Sequence, residues 1–229
     1  MKKIEDKVFE FINKHRIVIF FIIISGISLL VRFFLLKYES VDYTMFLKEW
    51  FDEIKQFGGL KALNREIGDY NTPYLTIIAL LTYLPIKSLY SIKIVSIFFD
   101  YVLAFGVCKI VDMIIKNNNN KKDILLIIYG TILMLPTVML NSACWGQADS
   151  IYTAFTIWSI AFLMEEKYVK SFILLGVAFA FKLQTIFILP LYILIYISKR
   201  KFSIVHFFII PVMNFVMCIP AMLARKDYT

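Results

Sequence analysis

Two aspartates in polar loops are the residues of this chain best suited to acid–base chemistry. Asp42 follows an apolar run and opens an amphipathic stretch, where its carboxylate could accept a proton from a hydroxyl group. Asp149 lies in the loop NSACWGQADSIY with Gln147 and Trp145, whose aromatic face could hold a sugar ring or anchor the chain at a membrane interface. Both aspartates could also be helix N-caps, a position that Asp favours. Catalysis, capping or both roles therefore stay open.

A polar turn and a single lysine are further candidates for ligand binding. Asp69, Tyr70 and Asn71 precede Thr72-Pro73, and they either contact a ligand or only form the turn. Lys182 interrupts the apolar run FAFKLQTIF, where it could neutralise a phosphate or extend its ammonium to the membrane surface. We expect a turn at Lys182 between two short spans. The alternative is one long helix through 169–198 with the lysine buried.

One acidic and one basic residue lie inside apolar runs. Asp100 is in SIFFDYVLA, and Arg32 lies at a matching depth near the end of the first apolar run. Unpaired charges within a membrane cost several kcal/mol, so we expect a structural ion pair, with a role in shaping the site as the alternative. The three cysteines are far apart and have no metal-ligand spacing. A divalent metal between Asp42 and Asp149 would have an incomplete ligand set.

The composition predicts an all-α, polytopic membrane protein. Hydrophobic residues make up 60% of the chain, and several apolar runs approach the length of a membrane-spanning helix. The net charge of +8 comes from short Lys and Arg clusters between these runs, a pattern typical of membrane topology rather than of nucleic-acid binding. We expect spans at about 17–36, 94–115, 123–143, 150–165, 169–182, 184–198 and 202–223.

The loop over residues 37–93 is too polar to be a simple connection. Apolar residues recur at helical spacing through 42–57, which predicts an amphipathic helix at the membrane surface, ended by Gly58-Gly59. The segment 73–90 holds two prolines and only about a dozen strongly apolar residues, which is the length of a re-entrant or interfacial helix. We therefore expect a large loop that carries surface helices.

The distribution of positive charge predicts the orientation. The N-terminal segment is basic and hence cytoplasmic. If 73–90 does not cross the membrane, the basic clusters at 116–122, 167–170 and 199–201 all lie on that same side. The loop 37–93 and the loop around Asp149 then face each other outside the cell. We expect an integral membrane protein, and the resemblance described below implies the bacterial plasma membrane.

These motifs together resemble the GT-C glycosyltransferases. DYTMFLKEW, GDYNTPYLTIIALLTYLP, WGQADS and FKLQTIFILP are similar to segments of the bacterial relatives of the GPI-anchor mannosyltransferases. The resemblance covers nearly the whole chain, and the WGQAD loop with the GDYNTPY turn is its most specific part.

The resemblance implies an inverting transferase that uses a sugar linked to polyprenyl phosphate. A lipid, glycan or protein would be the acceptor, and membrane lipids would surround the protein. Asp42 matches the general base, and Asp149 the second acidic position, which binds donor or acceptor. The turn Asp69 to Asn71 and Lys182 match further positions of the family.

Members of that family are much longer than this chain, which would correspond to their conserved N-terminal half and end early at its C-terminus. Two other functions therefore stay open: a transporter or flippase of a lipid-linked saccharide, and an inactive fragment or subunit of a split transferase. A transport path would suit intramembrane Asp100 and Arg32.

Overall fold

The computed structural model describes residues 2–116 and 118–224 and confirms an all-α fold. Helices account for 83% of the structure, and the described residues contain no strand. Asn117 of the polar turn 117–120 and the last residues, 225–229, lie outside the described part of the chain. The helices are α1 (Lys2–Leu35), α2 (Lys48–Gln56), α3 (Thr72–Leu81), α4 (Ser88–Ile114), α5 (Lys121–Met134), α6 (Pro136–Leu140), α7 (Asp149–Met164), α8 (Tyr168–Phe181), α9 (Leu189–Lys199), α10 (Ile209–Met217) and α11 (Ile219–Ala224).

By length and composition, three helical stretches within the described residues could each cross a membrane. They are Glu5–Leu35, Ser88–Ile114 and Ile204–Ala224. The pair Lys121–Met134 and Pro136–Trp145 is bent by 47° and would make a fourth span if it crosses as one unit. The other apolar helices are shorter than a usual span. These helices are consistent with an integral membrane protein, whereas seven spans remain a prediction.

Two predicted elements differ from the structure, and proline is the reason in both. The expected span 123–143 is not straight, because Pro136 lacks an N–H group and begins a new helix after Met134. The expected helix 73–90 ends at Leu81, because the ring of Pro85 would clash with the carbonyl of Leu81, four residues earlier, if the helix continued. The chain then turns, and α4 begins at Ser88, several residues before the predicted start.

The amphipathic stretch folds onto the bundle along one face. A π-helical turn over Tyr43–Leu47 leads directly into α2. Leu47, Phe51 and Ile54 are buried in the core that also holds Ile78 of α3, because their spacing puts them on one side of the helix. The opposite face carries the charged residues predicted from the sequence.

Glycines end this helix and let the chain turn back closely. Gly58 and Gly59 have φ angles of +87° and +68°, which a residue with a Cβ rarely adopts. The Tyr83 hydroxyl donates to the Gly58 carbonyl at 3.1 Å and accepts from the Leu60 amide at 3.0 Å. The loop after α2 is thereby fixed to the turn after α3.

Ion pairs gather the basic turns at one end of the bundle. Arg16 of α1 contacts Asp123 at the start of α5, with 2.7 Å between Nη2 and Oδ2. Lys109, near the end of α4, contacts Glu165 after α7, with 2.6 Å between Nζ and Oε1. Glu166 pairs with Lys201, which follows α9.

Lys182 separates two helices rather than lying inside one. Its backbone is extended, with φ of −153° and ψ of 127°, and α8 ends at Phe181. A 3-10 helix over Leu183–Ile188 then leads into α9. The alternative of one long helix through 169–198 is therefore wrong.

A fully enclosed ion pair joins α1 to α4. Arg32 and Asp100 are 1% and 0% exposed, and Oδ2 of Asp100 lies 3.0 Å from Nε and 2.8 Å from Nη2 of Arg32. Arg32 also donates to the Ser28 hydroxyl at 2.6 Å and to the Leu133 carbonyl at 2.9 Å. Both charges are thus paired and further hydrogen-bonded, which is what a low-dielectric interior requires.

Two serines complete the surroundings of Asp100. The Ser142 hydroxyl, between α6 and α7, donates to Oδ2 at 2.5 Å. The Ser150 hydroxyl, in the first turn of α7, donates to Oδ1 at 2.5 Å. One carboxylate therefore links α1, α4, α7 and the loop before α7.

We predict that Asp100→Ala lowers the free energy of unfolding by about 3–5 kcal/mol, because Arg32 would be left buried without a partner. Thermal unfolding of the purified protein in detergent measures the loss. The control is Asp52→Ala, which removes an exposed carboxylate 3.9 Å from Lys48 and should cost about 0.5 kcal/mol or less. Equal effects of the two substitutions would contradict this assignment.

Candidate functional site

Asp42 is held by a side chain more than a hundred residues away. Its Oδ2 accepts a hydrogen bond of 2.6 Å from Nε2 of Gln147. Its side chain makes no cap bond, because Ser40 takes that role and accepts from the Tyr43 amide at 3.1 Å. Capping therefore does not explain Asp42, and its carboxylate is directed at the loop before α7.

A second amide connects Asp42 to Asp149. Asn141 donates through Nδ2 to Oε1 of Gln147 at 2.9 Å and to Oδ2 of Asp149 at 3.0 Å. The two carboxylates are thus joined by a continuous chain of hydrogen bonds, which we call the amide relay (Asp42, Gln147, Asn141 and Asp149). Nothing in the spacing of Asn141 marked it as part of the site.

Asp149 forms an ion pair with Lys182. Oδ1 of Asp149 contacts Nζ of Lys182, which also lies 5.4 Å from the centre of the Tyr152 ring. The side chains of the pair are 31% and 25% exposed. Although Asp149 opens α7, its carboxylate bonds to Asn141 and Lys182 and does not cap the helix.

The local fold of the WGQAD loop explains the direction of Gln147. Gly146 has a φ of +70°, and its amide donates to the Ser142 carbonyl at 3.1 Å. The Gln147 amide donates to the Asn141 carbonyl at 3.0 Å, which closes the turn in the way helices commonly end at glycine. This turn brings the loop to Ser40 and Asp42.

The buried carboxylate of Asp100 fixes two serines that adjoin residues of the amide relay. Ser142, which donates to Asp100, is the neighbour of Asn141 in the chain, and Ser150 is the neighbour of Asp149. Asn141 and Asp149 of the amide relay are therefore each the chain neighbour of a serine that is hydrogen-bonded to Asp100.

Lys93 fixes the chain on the other side of the site. It is fully buried and donates to the carbonyls of Leu36, at 3.1 Å, and Tyr38, at 2.5 Å, which follow the end of α1. Lys93 also donates to the carbonyl of Leu35, the last residue of α1, at 3.5 Å, and the last carbonyls of a helix have no partner within it. The sequence signal that could have identified Lys93 is a charged residue in the first turns of an apolar helix.

The turn Asp69 to Asn71 lies beside Lys182, so the structure brings these predicted site residues together. These three residues, Lys182 and the segment after it line a cavity of about 480 Å³. The Tyr70 ring packs between the rings of Trp50 and Tyr74, with centroid distances of 5.5 and 4.7 Å. Apolar side chains complete the cavity wall, and those of Leu183, Ile186 and Phe187 are exposed.

Tyr70 remains a neutral hydrogen-bond donor. Burial raises the pKa of its hydroxyl, Lys182 lowers it, and the carboxylates of Asp149 and Asp42 raise it further. Its hydroxyl can therefore donate to an anion in the cavity at neutral pH.

Four of the predicted site residues do not line this cavity, namely Asp42, Trp145, Gln147 and Asp149. The side chain of Trp145 is 41% exposed. Its backbone carbonyl accepts from the Ser40 hydroxyl at 3.2 Å. The contribution of Trp145 to the site is thus through its main chain.

A larger cavity of about 570 Å³ lies on the far side of Asp69, beside Arg65, Glu66 and α11. Lys182 and Tyr70 do not line it, so it is separate from the cavity beside the Asp149–Lys182 ion pair. Across residues 2–116 and 118–224, no group of three or more His, Cys, Asp or Glu side chains is arranged to hold a metal ion.

No family model, curated protein sequence or solved structure matches this chain at a significant level.

We predict that Lys93→Met, which keeps most of the volume of the side chain, destabilises the protein by about 1–3 kcal/mol, because the part-buried carbonyls of Leu36 and Tyr38 lose their donor. The measurement is the shift in thermal unfolding. The control is Lys55→Met on the exposed face of α2, which should unfold like the unaltered protein. A Lys93 variant as stable as this control would show that the carbonyls find other partners.

Proposed function

We propose that this chain is an integral-membrane glycosyltransferase of the GT-C type, similar to mannosyltransferases. It would transfer a sugar from a polyprenyl-phosphate donor to an acceptor hydroxyl at the external membrane face, with inversion. The observation that carries this proposal is that hydrogen bonds join Asp42 to Asp149, and that Asp149 pairs with Lys182, which lines a cavity together with Tyr70.

Asp42 is the proposed general base. Gln147 holds Oδ2, while Oδ1 has no hydrogen-bond partner among the described residues and can receive a proton. As the acceptor oxygen bonds to the anomeric carbon, its proton passes to Asp42. The bond between that carbon and the phosphate oxygen breaks, and its electron pair leaves with the polyprenyl phosphate. Attack from the face opposite the phosphate gives inversion.

Lys182 and Tyr70 are the proposed partners of the leaving phosphate. Positive charge and hydrogen-bond donors placed before the reaction stabilise the charge that develops on the phosphate oxygens. Asp149 orients the ammonium of Lys182, and both Lys182 and Tyr70 line the cavity. The adjoining exposed side chains of Leu183 and Phe187 suit the apolar chain of the donor.

Two features support placing the site outside the cell. The turns joined by ion pairs lie at the end of the bundle where basic residues outnumber acidic ones, which is typical of the cytoplasmic side. At the other end, acidic and basic residues are balanced. In the proposed topology of seven passages, α2 and α3 stay at that second end, and the N-terminus is cytoplasmic.

A transporter is less well supported. The buried charges that would favour a transport path, Arg32 and Asp100, are paired with each other and enclosed by hydrogen bonds. Such a saturated pair is better explained as a structural connection. A subunit of a split transferase would use the same site, with further residues supplied by another chain.

We predict that Asp42→Asn lowers sugar transfer by about 10²–10⁴-fold while expression and thermal stability stay close to those of the unaltered protein. The measurement is transfer of labelled sugar from a polyprenyl-phosphate donor to a glycolipid acceptor in detergent. Because detergent removes any membrane gradient, transport cannot produce this signal.

The matched control is Asp52→Asn, on the exposed face of the same helical segment. It makes the same chemical change and should leave transfer intact. Transfer by Asp42→Asn at the level of this control would overturn the role of the base.

A further inference from the structure

We propose that Asn141 is a positioning residue that sets the orientation of Gln147 and, through it, of Asp42. This inference deepens the proposed function, because it names the group that holds the general base. The sequence motifs do not assign a role to Asn141, which lies before the WGQAD loop.

Asn141 holds Gln147 at both ends. Its carbonyl accepts from the Gln147 amide at 3.0 Å, and its Nδ2 donates to the Gln147 side-chain oxygen at 2.9 Å. A glutamine side chain with its oxygen fixed in this way can present only its nitrogen to the far side. That nitrogen lies 2.6 Å from Oδ2 of Asp42.

The chemistry of the end groups dictates the direction of every bond in the amide relay. Carboxylates only accept hydrogen bonds, so Asp42 requires the nitrogen of Gln147, and Asp149 requires the nitrogen of Asn141. The oxygen of Gln147 then needs a donor, and the second N–H of Asn141 supplies it. Position 141 therefore needs a side chain of the length of asparagine that carries two N–H groups on one nitrogen.

The free oxygen of Asn141 agrees with this account. Oδ1 is buried and has no hydrogen-bond partner among the residues that the structure describes. If the amide were turned around, an acceptor oxygen would face two other oxygens, and both N–H groups would lose their partners. The two donated bonds therefore determine the orientation of the amide.

The test compares the isosteric change Asn141→Asp with the same change at exposed Asn118, in the turn before α5. Oδ1 of Asn118 accepts from the Asn120 amide at 2.8 Å. Asn118→Asp keeps an acceptor oxygen at that place, so this control should be silent. Two quantities are measured for each protein. One is the rate at which a water-soluble carbodiimide and an amine modify Asp42, followed by mass spectrometry of its peptide. The other is kcat and KM for sugar transfer.

In Asn141→Asp, we expect the modification rate of Asp42 to rise about fivefold or more, because Gln147 no longer has a fixed orientation. We expect kcat to fall about 10–100-fold with little change in KM, because the base is misplaced while substrate binding is unchanged. An unchanged modification rate of Asp42 would overturn the inference, whatever the activity. If Asn141→Asp does not fold, Asn141→Ser, whose side chain is too short to bridge both partners, gives the same readout.

A double variant separates positioning from a general effect on structure. Asn141→Asp with Asp149→Asn exchanges donor and acceptor, so the bond between these two positions and the total charge are preserved. The oxygen of Gln147 still has no donor, so modification of Asp42 should remain fast. If the exchange restores slow modification, Asn141 acts only through Asp149 and the inference is wrong.

The labelling result does not depend on the proposed function. If Asp42 becomes more reactive in Asn141→Asp but the unaltered protein transfers no sugar, the positioning role holds and the proposed reaction is wrong. If transfer occurs and the reactivity of Asp42 does not change, the reaction stands and the positioning role is wrong.

Discussion

The buried carboxylate of Asp100 is the constraint on which the arrangement of the site depends. It lies on α4, pairs with Arg32 of α1 and accepts from Ser142 and Ser150. Such a group is tolerated in an apolar bundle only when all of its partners are in place, so it allows one packing of these helices and disfavours others. Asn141 and Asp149 follow from that packing, since they adjoin the two serines in the chain.

Helix ends and turns near the Arg32–Asp100 pair form the polar surface that holds the site. Lys93 binds carbonyls beyond the end of α1, Ser40 caps the segment with Asp42, and Gly146 turns the loop before α7. Each device satisfies backbone groups that a helix end leaves unpaired. Together they bring Asp42 to Gln147 and Asp149 to Lys182, although these pairs are distant in the sequence.

The sequence predicted the features that follow from apolar periodicity and from the placement of charges. It did not predict side-chain roles that depend on partners distant in the chain. The apolar repeat predicted the helix that carries Asp42, and matching depth brought Arg32 and Asp100 together. Asn141 and Lys93 were missed, because a polar side chain in an apolar run shows its partner only after folding. Capping by Asp42 was an open alternative, and it failed because Ser40 occupies that role.

Proximity of Asp42 to Gln147 in the native membrane is the most direct test of this account. Cysteines would be placed at both positions in a chain whose Cys108, Cys144 and Cys218 are replaced, and a short bifunctional thiol reagent would be added to membrane vesicles. The account predicts rapid intramolecular cross-linking, because the two side chains are hydrogen-bonded to each other. Two cysteines that each react with a monofunctional reagent but never cross-link would contradict it.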